Sequence, residues 1–189
     1  MISILKTSAR LLFILTFLTG CAYPLVLTGL AQAIFPEQAR GSLIVEGGHV
    51  RGSLLIGQSF QSERYFHGRP SAGDYDGLLS GGSNAGPLAS KLREEVGQRA
   101  MQVRQMEKLT SQQPVPADLV TASASGLDPH ISTEAALLQV KRVAQTRGLS
   151  LQQVETLVYE TLEERHGGFL GERRVNVLKL NQELQSLLF

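Results

Sequence analysis

A run with no charged residue, from Leu11 to Pro36, constrains this chain more than any other feature. As a helix rising 1.5 Å per residue, Leu11–Phe35 reaches roughly 37 Å, enough to cross a hydrocarbon core of about 30 Å with some tilt. No later segment is comparably apolar, so the expectation is a single span. Lys6 and Arg10 come just before it, and basic flanks stay on the cytoplasmic side. That assigns residues 1–10 to the cytoplasm, 11–35 to a transmembrane helix and 36–189 to the extracytoplasmic side.

A cleaved signal peptide is the rival reading, most sharply as a lipoprotein signal with Leu18-Thr19-Gly20-Cys21 as lipobox. It would make the protein a stand-alone lipoprotein or binding domain anchored through Cys21. Against it, the sequence after Cys21 stays apolar to Phe35, where a polar tether is expected, and signal cores run only about 7–15 residues. Cys21 is the single cysteine, which excludes an internal disulfide. Within the span, Thr16, Gly20, Pro24 and Thr28 recur every fourth residue and share a helix face. Small residues so spaced let a second helix approach closely, which marks them as candidate contacts to a larger membrane partner. Pro24 has no N–H, so the Gly20 carbonyl loses its helical donor.

Beyond the span the expected fold class is α+β: one mixed extracytoplasmic domain with a β-hairpin, a long Gly-rich loop and several helices. Ser42–Glu46 and His49–Ile56 flank Gly47-Gly48 and read as a hairpin, with Val50, Gly52, Leu54 and Ile56 on one face. Arg64–Pro87 lacks an apolar period and is dense in turn formers, yet holds Tyr65, Phe66 and Tyr75 for packing; it reads as an ordered recognition loop. Ala89–Leu109 has a helical period, and Leu119–Thr121 reads as a short strand. Ser132 is placed to cap a helix that Gly148 ends, and Ser150 with Gln153 forms a capping box for the next. Val175–Leu178 reads as a strand or as the start of a helix capped by Asn176, with Val177, Leu180, Leu184 and Leu188 as its stripe; the helix is the expectation.

Several motifs dissolve on inspection. Gly52-x4-Gly57-Gln58-Ser59 has P-loop spacing, but Gln58 stands where phosphate chemistry needs lysine. Leu79–Ser83 resembles an ATPase signature string without a Walker partner, so Ser80, Gly81, Gly82, Ser83 and Asn84 remain only weak candidates for a backbone nest holding an anion or carbonyl. The pair around Gly148 has helix-turn-helix spacing, but Glu155, Glu160, Glu163 and Glu164 would repel phosphates, and the net charge is only +1; no nucleic-acid partner is expected. Four scattered histidines and one cysteine give no metal site. Asp128 beside His130 is the nearest approach to hydrolase chemistry, but no serine sits in a nucleophile elbow. No catalytic residue and no cofactor of its own is expected.

Ordered strings along nearly the whole chain carry a resemblance: Tyr23–Val26, Thr28–Gln32, Gly52–Gln58, Arg69–Ala72, Ser80–Asn84, Asp118–Thr121, Ser125–Ser132 and Val175–Leu178. Together they resemble the C subunit of the Kdp ATP-driven potassium pump. Thr133 and Arg173 depart from a usual proline, and Arg40 from a usual neutral polar residue. The resemblance implies an accessory, non-catalytic subunit in the inner membrane, partnered by a channel-like potassium-translocating subunit and a P-type ATPase subunit, and by membrane lipid. It also implies a catalytic chaperone that raises ATP affinity, and so possible ATP contact. On the positive-inside argument, however, only about ten residues share a compartment with ATP. Arg69, Pro70, Ser71, Tyr75, Asp128 and His130 join the span face as candidate partner contacts.

Overall fold

The structure, a computed structural model, describes residues 1–187. It divides into two compact units, Met1–Ser53 and the chain from Leu54 onward.

The first unit opens with one long helical run: α1 (Ile2–Phe17), a π turn at Leu18–Ala22, and α2 (Tyr23–Ile34). Helix begins well before Leu11 because no Gly or Pro interrupts the chain until Gly20. Ile2–Ile34 is long and apolar enough, by length and composition, to cross a membrane. In the π turn, Tyr23 N–H donates to the Leu18 carbonyl, five residues back. The ladder thus widens beside Pro24, whose missing N–H has to be accommodated there. Phe35 leaves the helix at φ −131, as a residue before proline tends to, and Pro36 opens the short α3 (Pro36–Ala39).

β1 (Leu43–Glu46) and β2 (His49–Ser53) form the expected hairpin, with Gly47 and Gly48 at φ 57 and 78, a two-residue turn of the kind that favours paired glycines. A bulge interrupts the register between Ile44 and Val45. β2 stops at Ser53 rather than Ile56. Leu54 and Ile56 therefore do not join Val50 and Gly52 on a strand face; the Leu54 carbonyl instead accepts from Asn176 Nδ2 at 2.7 Å.

In the second unit, residues 54–89 contain no helix or strand. α4 (Ser90–Glu107) follows, with Val103 turned to the core. The strand expected at Leu119–Thr121 is absent: Pro116 feeds a 3₁₀ turn at Ala117–Leu119 that buries Leu119 and Val120. β3 (His130–Ile131) leads into α5 (Thr133–Arg147), capped by Ser132 Oγ, which accepts from Ala135 N–H at 3.1 Å, and closed by Gly148 at φ 70. α6 (Leu151–Glu160) carries the full Ser150–Gln153 capping box. β4 (Leu162–Glu163) and β5 (Arg174–Asn176) complete a three-stranded antiparallel sheet of order β3-β5-β4. Both readings of Val175–Leu178 hold in part: β5 ends at Asn176, whose side chain caps α7 (Val177–Ser186). Leu188 lies outside the described residues. Ala135, Val143, Val154, Val158, Val175, Leu180 and Leu184 form the core, with Phe66 from the irregular segment packed among them.

Candidate functional site

An irregular segment stays in one place only if its backbone polar groups find partners. For Glu63–His67 these are side chains from α5 and α7. Asn181 accepts from Phe66 N–H (2.8 Å) and donates to Phe66 C=O (2.9 Å). Gln139 does the same for His67, at 2.7 and 3.1 Å. Arg142 donates to the carbonyls of Glu63 and Tyr65, and Arg147 Nε to that of Arg64 at 2.7 Å. Arg147 also lies over the Tyr65 ring, 4.8 Å from its centroid. Arg142 Nε pairs with Glu107 at 2.8 Å, with side chains only 5% and 3% exposed. Burial pushes the Glu107 carboxyl up, against the pull of Arg142.

The segment held this way delivers Arg69 to Asp128. Arg69 Nη1 is 3.1 Å from Asp128 Oδ2, while Asp128 Oδ1 accepts from His130 N–H at 3.0 Å and lies 3.4 Å from His130 Nδ1. On its far side His130 Nε2 lies 3.5 Å from Glu163, which also pairs with Arg174 at 2.8 Å. Burial would raise the Asp128 carboxyl, but hydrogen bonds from the His130 side chain and N–H, with the charge of Arg69, outweigh it and hold the group below the usual carboxylate range. Both His130 ring nitrogens thus face carboxylates. The arrangement is an ionic brace.

Tyr75 locks the loop onto this brace. Its hydroxyl donates to the Arg69 carbonyl at 2.6 Å, and burial, with the nearby Asp128 charge, pushes the phenol up to about 12. Asp74 and Tyr75 both sit at positive φ (51 and 60). Ser71 Oγ holds that turn, accepting from Gly73 N–H (3.2 Å) and Tyr75 N–H (2.9 Å) and donating to the Gly126 carbonyl (2.7 Å). The ring lies so close that a Cβ on Gly57 would meet Tyr75 Cε1 at 2.5 Å and the Asp128 carbonyl at 2.7 Å. Pro70 sits half-buried between Arg69 and Ser71.

The Gly-rich string is docked by its own backbone. Gly81 N–H donates to the Ser125 carbonyl at 2.9 Å and Ser80 Oγ to the same carbonyl at 3.2 Å, while Gly82 lies against Ala124. Ser83 and Asn84 are exposed, Asn84 at φ 50. The structure therefore brings Arg69, Ser71, Tyr75, Asp128 and His130 together and seats Ser80–Gly82 on the adjoining 123–126 segment.

Thr16, Gly20, Pro24 and Thr28 belong to the other unit. A four-residue repeat drifts about 40° per step around a regular α-helix. The wider turn at Leu18–Ala22 takes more residues per turn and so lessens that drift. A Cβ on Gly20 would meet nothing within 4 Å. The sequence reading missed Gln139, Arg142, Arg147 and Asn181 as organisers of the loop; the available signal was polar residues at inward positions of apolar helices.

Residues 5–186 match the family described as KdpC, the K+-transporting ATPase c chain. The chain belongs to the KdpC family. A protein of Rhodospirillum rubrum named potassium-transporting ATPase KdpC subunit is 53% identical over 186 residues, covering 97% of this chain and 96% of the relative. A KdpC subunit from Geobacter sulfurreducens is 50% identical over 188 residues, covering 97% and 98%. One from Rhodopseudomonas palustris is 48% identical over 189 residues, covering 93% and 92%. The KdpC match thus takes in both the helical run and the braced loop.

Proposed function

We propose that this chain is the accessory, non-catalytic subunit of an ATP-driven potassium pump, anchored by Ile2–Ile34 with the unit from Leu54 onward outside the cytoplasm. Its span face (Thr16, Gly20, Pro24, Thr28) docks on a membrane partner. The Arg64–Pro87 loop docks on the potassium-translocating subunit and steadies potassium uptake. The observation that carries this reading is the match of residues 5–186 to a family named for a subunit of the potassium-transporting ATPase. Lys6 and Arg10, at the N-terminal end of that helix and ahead of its uncharged stretch, support the orientation.

Docking by the loop, rather than nucleotide capture, is favoured by the Gly-rich string: the Gly81 N–H is already bonded to Ser125. Meanwhile Leu78 and Leu79 stand 92% and 62% exposed, apolar surface that docking would take out of water. Any rise in ATP affinity would then act through the assembled pump.

The test is to co-express the Leu78→Ser/Leu79→Ser chain with the other pump subunits. Weaker co-purification in mild detergent and reduced potassium-stimulated ATP hydrolysis are expected; wild-type values for both would remove the loop from the interface. Protease added to intact spheroplasts is expected to degrade the second unit, and its survival would reverse the topology.

A further inference from the structure

A cleft of about 830 Å³ opens beside the ionic brace, within the size range of ligand sites. Its apolar lining comes from Pro114, Val115, Pro116, Ala117, Ile131 and Leu138. Its charged lining is unevenly matched. Arg69 is paired with Asp128, Arg173 with Glu164 at 3.0 Å, Arg174 with Glu163 at 2.8 Å, and Glu172 with Arg165 at 2.9 Å. Two carboxylates in the lining, Asp118 and Glu134, have no cationic partner among the described residues. Asp118 accepts only from the neutral N–H and Oγ of Ser132, at 2.5 and 3.2 Å. Every lining arginine is thus neutralised within the fold, and the surplus charge offered to an occupant is negative.

The shape of one wall points to a macromolecule. Glu172, Arg173 and Arg174 belong to one arm of a hairpin braced by three successive cross-arm ion pairs, Glu163–Arg174, Glu164–Arg173 and Arg165–Glu172. With three acids and three bases, the arms have no net charge to draw them to anionic lipid. Gly167 and Gly168, at φ 62 and 84, turn the tip, and His166 bridges to Leu170. Phe169 and Leu170 stand there 74% and 59% exposed. An arm that runs from the cleft lining out to exposed apolar side chains offers more surface than a small amine would cover. Strand addition is disfavoured, because the His130 and Ser132 N–H groups along β3 are already taken by Asp128 and Asp118.

We propose that this cleft is a docking groove for a short apolar peptide segment of another protein, carrying a lysine or arginine that faces Glu134 and Asp118. Apolar side chains of the segment lie on Val115, Ile131 and Leu138, and its cationic head meets the unpaired carboxylates. This goes beyond the pump assignment and does not depend on it, since the isolated chain suffices for the test.

The probes are two capped, dye-labelled pentapeptides, Leu-Val-Lys-Val-Leu and Leu-Val-Glu-Val-Leu, titrated by fluorescence polarisation against the full chain in mild detergent. The lysine peptide is expected to bind at least about fivefold tighter than the glutamate peptide. Glu134→Gln narrows that ratio and Glu134→Lys inverts it, with helical circular dichroism confirming that both variants are folded. Equal affinities, preference for the glutamate peptide, no binding of either, or a ratio unmoved in the folded Glu134→Lys chain would each overturn the proposal. Addition of anionic vesicles is expected to leave the ratio unchanged; vesicle binding lost on Phe169→Ser would assign the arm to lipid instead.

Discussion

Asn181 on α7 holds Phe66 by both of its backbone polar groups, accepting its N–H at 2.8 Å and donating to its carbonyl at 2.9 Å. The amide stands in for a neighbouring strand, and it does so at a residue whose own side chain is fully buried. The irregular loop is thereby pinned at its start to the core. Replacing Asn181 with Leu leaves two buried backbone groups unpaired, at a cost of about 2–4 kcal/mol. Urea or thermal unfolding in mild detergent should show that loss, and a change under 1 kcal/mol, about the size of one ordinary hydrogen bond, would deny the clamp.

The Glu107–Arg142 pair gives a sharper contrast. Arg142→Leu strips the buried carboxylate of its partner and frees the Glu63 and Tyr65 carbonyls, so a loss of about 3–5 kcal/mol is expected. Combining it with Glu107→Met should recover part of the loss, because the uncompensated charge is gone. A double-mutant cycle in urea measures this; strict additivity would mean that the two do not interact.

Asp128 sets a pH dependence. Its carboxyl is held lower in the fold than in the unfolded chain, so the ionised group contributes stability that is complete above the ordinary carboxylate value of about 4. That contribution is lost as the pH falls through the lowered folded value. Asp128→Asn should reduce stability at pH 7 and flatten the acid side of the stability curve below about pH 5. Parallel acid limbs for the two proteins would show that the brace does not act through this charge.

Tyr75 should resist ionisation. In an ultraviolet titration its phenol is expected to titrate near 12, above the ordinary tyrosine value of about 10. Subtracting the curve of Tyr75→Phe isolates it; a difference amplitude complete by pH 10.5 would contradict the buried hydroxyl.

Two glycines should behave oppositely. Gly57→Ala forces a Cβ to within 2.7 Å of the Asp128 carbonyl, a backbone atom that cannot swing away. About 1–3 kcal/mol of destabilisation is expected. Gly97, inside α4 with nothing within 4 Å, should gain up to about 1 kcal/mol as alanine from helix propensity alone. Melting temperatures of the pair decide it.

What the sequence made legible was local. Gly47-Gly48, Ser132, Ser150 with Gln153, and Asn176 each act on residues within a few positions, so their roles could be read from spacing. The brace was half legible: Asp128 and His130 are close in sequence and drew attention, whereas Arg69 reaches them from across the fold. The clamp was not legible, because Asn181 meets Phe66 and Gln139 meets His67 over long sequence separations, and a polar residue on a helix does not announce which distant carbonyl it will meet. Leu119–Thr121 misled because β-rich composition there is overridden by Pro116 and by burial of Leu119 in a tight turn.

The wide turn at Leu18–Ala22 has a consequence for how the membrane helix tolerates change. Losing one residue from an ordinary stretch of helix swings everything beyond it by about 100°. Within the widened turn a single residue is slack: its removal leaves an ordinary turn behind, and the two halves keep their original sides. Shortening there is expected to keep the two faces aligned, at the cost of setting the Pro24 ring against an ordinary turn, while the same deletion a turn or two away would point Thr16 and Thr28 toward different neighbours.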